Sequence, residues 1–169
     1  MNTPGPDWSR WTVVLLKPDC IERGLATEVL AWVGSELNLV DHRIVVPTEE
    51  QIFAHYDDLL TTRLAHFTWV DVAADLRHTY VGRQVGIALA HGPDAAPRLR
   101  ALLGHFDPAE ADPGTIRGRY GSDSLGKAMA EGRLIRNTIH SSDNPDGAQR
   151  EFGIWYGPGN THLLDNPHL

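Results

Sequence analysis

Cysteine and lysine are nearly absent from this chain: of 169 residues, one is cysteine and two are lysine. A single Cys20 excludes an internal disulfide framework and any cysteine-based zinc cage. Long apolar runs are lacking as well. The stretch Trp11–Leu16 is far too short to span a bilayer, and the opening MNTPGPDWSR has no charged-then-apolar signal pattern. A cytoplasmic protein is therefore expected. The usual nucleotide signatures are missing too. There is no G-x-x-x-x-G-K-[ST], no G-x-G-x-x-G opening a helix after a strand, and no protein-kinase motif set. Any phosphate binding must use another mechanism.

What is present is ordinary for one globular domain: 41% hydrophobic, 22% charged and a formal net charge of −7. That charge argues against nucleic acid or a membrane surface as the main partner, because polyanions are repelled at long range. The 15 basic residues are nevertheless almost all Arg, the planar fork suited to phosphate. A GC-rich coding sequence gives the same bias, and composition does not choose between the two.

Residues 1–10 hold two Pro and one Gly and read as a flexible lead. Trp11–Leu16 (WTVVLL) reads as a buried strand, ended by Lys17-Pro18-Asp19, where Pro18 removes a ladder donor. Apolar residues at Leu25, Val29, Trp32, Val33 and Leu37 have helical spacing. Residues 39–46 read as a second strand, and Thr48-Glu49-Glu50-Gln51 starts a capped helix running to about Leu60. One more helical piece is expected within 61–82. Residues 84–90 make a third strand and Ala95–Leu103 a short helix. A Gly/Pro/Asp-rich loop follows over 104–126, then a fourth strand over 134–139 and a last helix around 147–152. This order fits an α+β, ferredoxin-like split βαβ: a four-stranded antiparallel sheet with helices on its faces. One domain is expected over 11–156, followed by a tail at 157–169.

Among nine histidines, His140 stands out. It follows the expected fourth strand, precedes a helix, and lies in Arg136-Asn137-Thr138-Ile139-His140-Ser141-Ser142-Asp143. An imidazole nitrogen attacks a phosphoryl group well when its other nitrogen is held and the phosphate charge is neutralised. Glu151 in the next helix is placed to orient the ring. Pro113-Gly114-Thr115 makes a tight turn presenting Arg117, a forked cation for polyphosphate. Arg100 on the preceding helix reads more often as a solvated helix charge. Lys17 leaves a buried strand end, where a cation is expensive without a partner.

Together these pieces resemble the nucleoside diphosphate kinase family, from about Thr12 to Tyr156. The family's K-P-D-x-x-x-R-G is Lys17-Pro18-Asp19 through Arg23-Gly24, and its H-Y pair is His55-Tyr56. P-G-T-I-R-G stands unbroken at residues 113–118. N-x-x-H-[GA]-S-D is Asn137 through Asp143, and E-[IF]-x-x-W-[FY] is Glu151 through Tyr156. Five motifs in the right order make coincidence implausible.

The resemblance implies a ping-pong reaction in which His140 takes the γ-phosphoryl group of a nucleoside triphosphate and passes it to a nucleoside diphosphate. It places Lys17, Tyr56, Arg100, Arg117 and Asn137 on phosphates and ribose, with Ser142 and Glu151 supporting the histidine. Phe67, with Trp69 in reserve, is the aromatic expected against the base. Mg²⁺ arrives on the nucleotide phosphates rather than in a protein cage, and a dimer-based homo-oligomer is implied. Several residues depart from the pattern. Phe106 stands where the family has a phosphate-contacting Thr, Ser141 replaces Gly or Ala, and Cys20 replaces Gly. Two insertions lie between Tyr56 and Val85 and over 119–133, the second ending in Glu131-Gly132-Arg133. The competing readings are a binding or regulatory module of the same fold, and a phosphotransferase with a narrowed acceptor.

Overall fold

The computed structural model describes residues 4–165 and 167; positions 1–3, 166, 168 and 169, from the expected lead and tail, lie outside the described residues. Four strands form one antiparallel sheet: β1 (Trp11–Leu16), β2 (Asn38–Val45), β3 (Val85–His91) and β4 (Ile139–Ser141), in the order β2-β3-β1-β4. Each neighbouring pair is antiparallel. The connection β1 to β2 carries α1 (Pro18–Glu22) and α2 (Ala26–Glu36). β2 to β3 carries α3 (Glu49–His55), α4 (Asp57–Leu60) and α5 (Val72–Tyr80). β3 to β4 carries α6 (Ala95–Leu103), α7 (Ile116–Tyr120) and α8 (Leu125–Glu131), and α9 (Pro145–Trp155) follows the last strand. This is the ferredoxin-like α+β arrangement the sequence suggested.

Every residue of β1 and β3 is buried because both faces of the sheet are covered. Val13, Leu15, Ile87 and Leu89 pack with Ile52, Leu76, Phe152 and Trp155, under α3, α5 and α9. Val14, Leu16, Ala88 and Ala90 pack with Val29, Val33, Leu99 and Leu103, under α2 and α6. A continuous apolar run is thus explained by two-sided cover. Within the expected lead, Trp8–Arg10 form a 3-10 turn, and the Trp8 ring lies 5.7 Å from that of Phe152.

Three expectations need correction. The helix begun by the Thr48–Gln51 capping box does not run unbroken to Leu60; it breaks at Tyr56, whose backbone leaves the helical region, and resumes as α4. The segment 104–126 is not a plain loop, since Thr115 caps α7 and Ser124 caps α8. A Cβ on Gly118 would sit 1.9 Å from the Asp112 carbonyl oxygen, so this turn closes only around glycine. The fourth strand is Ile139–Ser141, not 134–139, and His140 lies inside it rather than after it. The reason is where the backbone donors go: Leu134 N–H bonds the Asp75 carboxylate and Arg136 N–H that of Asp123, so neither joins the ladder.

Candidate active site

Sheet register aims His140. It pairs with Leu15 across β1–β4, while its neighbours Ile139 and Ser141 pair with Leu16 and Val14. Side chains alternate along a strand, so Ile139 joins the core beneath α2 and α6. His140 then faces the opposite layer, where α9 runs. Asn144 caps α9 by accepting the Gly147 N–H at 2.8 Å, and Pro145 occupies the first turn. The helix thereby brings Glu151 Oε2 to 2.8 Å from His140 Nε2.

A carboxylate only accepts, so His140 carries its proton on Nε2 and keeps the Nδ1 lone pair free. Burial holds the ring well below its ordinary pKa, and the Lys17 charge lowers it further. The ring is therefore a neutral nucleophile at physiological pH. Burial raises Glu151, while a hydrogen bond from Ser142 and the Arg150 and Arg100 charges draw it back down. The Ser142 hydroxyl also accepts the Val13 N–H at 2.9 Å, tying this support to β1.

The predicted cations gather in the same cleft, of about 640 Å³. Lys17 follows β1 directly, and its Nζ donates to Asn137 Oδ1 at 2.5 Å. Burial lowers its pKa to about 8, with Arg117 as the second cause. Asn137 in turn donates to the Phe106 carbonyl at 2.8 Å. Between Asn137 and Ile139, Thr138 adopts a left-handed backbone (φ 72°), held by its N–H to Asp19 Oδ2 at 3.1 Å and by Lys17 N–H to its carbonyl at 2.9 Å. A strained non-glycine residue fixed from both sides next to the candidate nucleophile is the kind of feature that concentrates at functional sites.

Arg117 is 8% exposed and spends three N–H bonds on the carbonyls of Asn137, Gly104 and Ile139. Burial lowers its pKa to about 10. Arg100 sits further out and pairs with Asp143. Tyr56 lines the cleft with its hydroxyl 2.7 Å from that of Tyr80, and burial raises its pKa.

At the other end, Phe67 and Trp69 line the wall, their rings 5.3 Å apart. Trp69 is committed elsewhere: its indole N–H bonds the Arg133 carbonyl at 3.0 Å. Phe67 is partly buried on that wall, with the Arg63 guanidinium 5.8 Å from its ring centre. Arg133 makes a two-pronged bond to Asp123 at 2.7 and 2.9 Å, both side chains buried. Burial by itself would raise Asp123, but this guanidinium and the N–H groups of Arg136 and Ser124 pull it down to about 2. The two insertions thus meet at one end of the cleft. Motif reading missed Asp19 as an anchor, Tyr80 as the partner of Tyr56, and the Asp123–Arg133 pair. The Lys-Pro-Asp triplet and Glu131-Gly132-Arg133 contained the first and third of these; nothing in the sequence pointed to Tyr80.

His55, His140 and Glu151 also bring three ligand-type atoms within 4.8 Å of one another. The set is unsuited to a resident cation. The Trp155 N–H occupies the His55 Nδ1 lone pair, Glu151 occupies His140 Nε2, and Lys17, Arg117 and Arg100 make the local field positive.

A ferredoxin-like sheet presenting a carboxylate-backed, neutral histidine to a cationic cleft defines a phosphotransferase of the histidine type. Comparison with known proteins makes this specific. The nucleoside diphosphate kinase family model matches residues 10–161, and the chain belongs to that family. It is 32% identical to the nucleoside diphosphate kinase of Streptococcus pneumoniae, covering 86% of this chain and 98% of that one. Its fold is similar to the nucleoside diphosphate kinase of Borrelia burgdorferi, solved as a transition-state mimic with vanadate and ADP. The TM-score is 0.78 at 29% identity, covering 89% and 88% of the two chains. The Pyrobaculum aerophilum enzyme gives 0.74 at 28%, covering 86% and 94%. The family reaction, nucleotide phosphotransfer through a phosphohistidine, is the one this chain's relatives perform, and a pure binding module is not favoured.

Proposed function

We propose that His140 Nδ1 is the atom that carries the phosphoryl group. In the first half-reaction Nδ1 attacks the γ-phosphorus of a nucleoside triphosphate, the Nδ1–P bond forms as the bond to the β-phosphate oxygen breaks, and a nucleoside diphosphate leaves. Positive charge developing on the ring is shared through Nε2–H with Glu151; negative charge on the departing oxygen is met by Lys17 and Arg117. The second half-reaction runs the same steps backward to a new diphosphate. Such a site works by positioning and charge neutralisation. Mg²⁺ would come with the nucleotide and supply further neutralisation of phosphate charge beside Lys17, Arg100 and Arg117. Tyr56, Arg100 and Asn137 complete the phosphate and ribose contacts, Phe67 stacks on the base, and Ser142 supports Glu151. The observation that carries this reading is the 2.8 Å His140–Glu151 bond, which leaves Nδ1 as the free nitrogen.

We assign this work to a domain at residues 11–156, in a cytoplasmic homo-oligomer of dimers. Support for assembly is the edge position of β2 with Ile44 half exposed and Val46 just beyond it. Among the described residues no helix is long and apolar enough to cross a membrane. Incubation with γ-labelled ATP tests the central step. Wild-type protein should yield an acid-labile, alkali-stable phosphoprotein that discharges to added diphosphates, and His140→Ala should yield none. Undiminished label on His140→Ala would refute the assignment.

A further inference from the structure

His55 lies directly behind the proposed nucleophile. Its side chain is 1% exposed, its ring stands edge-to-face with that of His140 at 4.5 Å, and its Nδ1 lies 3.5 Å from Glu151 Oε2. The same Nδ1 accepts the Trp155 indole N–H at 3.1 Å. An indole nitrogen can only donate, so His55 Nδ1 must be bare and its proton must reside on Nε2. Among the described residues that Nε2 has no hydrogen-bond partner. The groups facing the ring are Tyr56 from the end of α3, Lys17 from the end of β1, His140 from β4, and Arg150, Glu151 and Trp155 from α9. Burial first, then His140, push the His55 pKa well below its ordinary value, so the ring stays neutral.

The tautomer has a consequence for Glu151. A proton on His55 Nδ1 would offer the carboxylate a second ring donor, in competition with His140 Nε2–H. With Trp155 holding Nδ1 bare, His55 offers that carboxylate no hydrogen, which leaves His140 Nε2–H as its ring donor.

We propose that His55 is a positioning residue whose tautomer, locked by Trp155, dedicates Glu151 to His140 and thereby keeps His140 Nδ1 unprotonated for attack. This rests on His140 being the phosphoryl acceptor. Outer-shell partners that orient metal-bound histidines contribute about 10–100-fold when removed, and the same scale is expected for a ring oriented here through Glu151.

The test uses full-length protein and three variants. His55→Leu removes the acceptor, Trp155→Phe removes the donor that selects the tautomer, and His55→Asn returns an acceptor oxygen near the Nδ1 position. The rate of His140 phosphorylation by ATP should fall about 10–100-fold in His55→Leu and Trp155→Phe. ADP affinity should stay within about twofold, and His55→Asn should recover most of the rate. Nitrogen NMR of the free proteins, which needs neither turnover nor nucleotide, should show His140 protonated on Nε2 in wild type and as a mixture of tautomers in Trp155→Phe. Wild-type rates in both disabling variants, or equal damage in His55→Asn and His55→Leu, would overturn the proposal. So would an unchanged His140 tautomer in Trp155→Phe. Absence of phosphoenzyme on wild-type protein would instead overturn the acceptor assignment, with the NMR result still deciding the role of His55.

Discussion

The two ends of the cleft are held by different kinds of structure. At the phosphoryl end, His140 rides on a strand paired to β1, Lys17 leaves that same β1, and Glu151 projects from a capped helix packed on the sheet. At the far end, Phe67 and Trp69 stand on an insertion between β2 and β3, and Leu134 closes a second insertion before β4. The first set is fixed by register in the core. The second is fixed by a few polar staples: Trp69 to the Arg133 carbonyl, Leu134 N–H to Asp75, and Arg133 to Asp123. Core-built geometry suits chemistry that tolerates little displacement, whereas stapled loops can change without disturbing it. Substitutions at the two ends should therefore damage different kinetic constants.

The largest effect belongs at Lys17. Lys17→Ala should lower kcat/KM about 10³-fold, the loss of one buried charge at a developing phosphate charge. Its pH dependence sharpens the point. Burial sets the Lys17 pKa at about 8, so the free enzyme loses the cation above pH 8 and kcat/KM should fall about tenfold per further pH unit. The kcat profile, which reports the complex where phosphate oxygens hold the ammonium, should stay level to higher pH. Unfolding would not mimic this. A lysine more acidic when folded than its ordinary 10.5 leaves the unfolded chain binding more protons between pH 8 and 10.5. This residue's contribution to stability therefore rises with pH over that window. A kcat/KM profile flat to pH 10 would show that Lys17 does not set phosphate affinity.

Next comes the staple. Asp123→Ala leaves Arg133 buried without its partner, and loss of one member of such a pair costs about 3 kcal/mol. In a chain of this size that is roughly 6–12 °C in Tm. Because the damage lies in the second insertion, KM should rise while kcat holds within about threefold. A large fall in kcat with unchanged KM would mean that the insertion reaches the phosphoryl end, and the contrast between the ends would fail. Phe67→Ala is milder and more selective. Base–aromatic stacking contributes about 1–3 kcal/mol, so KM should rise at least several-fold with kcat nearly unchanged. Trp69→Phe, which loses only the staple, should move both constants less.

The same contrast explains what could be read from the sequence. Trp11–Leu16 and Ala95–Leu103 were legible to the residue, because a buried strand and an amphipathic helix write their periodicity locally. The proposed phosphoryl end was marked by motifs, and Lys17, Arg117, Asn137, His140 and Glu151 all line one cleft. The fourth strand was misplaced because Leu134 and Arg136 look like strand residues, yet their N–H groups go to Asp75 and Asp123, 59 and 13 residues earlier in the chain. The Tyr56 break was hidden for a similar reason: helical spacing continues through a residue whose backbone does not. Long-range side-chain-to-backbone bonds leave no local pattern, and they are what shapes the insertions.

Phe106 provides the smallest and most discriminating test, because it belongs to neither scheme. Its carbonyl is at the phosphoryl end, accepting from Asn137, while the residue is 49% exposed, its ring tilted against that of His105 at 4.6 Å and lining the cleft. An exposed apolar ring there neutralises no charge and donates no hydrogen bond. Phe106→Thr keeps the backbone contact to Asn137 and adds one hydroxyl within the cleft. One added hydrogen bond to a charged group contributes about 1.5 kcal/mol, so kcat/KM should rise up to about tenfold. If the hydroxyl meets a phosphate equally in ground and transition states, the gain falls in KM; if it favours the charge developing on the leaving oxygen, it falls in kcat. A loss of activity would mean that the bulk of the side chain contributes, by covering the Lys17–Asn137 pair from water. Phe106→Leu, which keeps bulk without a ring, would then retain the wild-type rate.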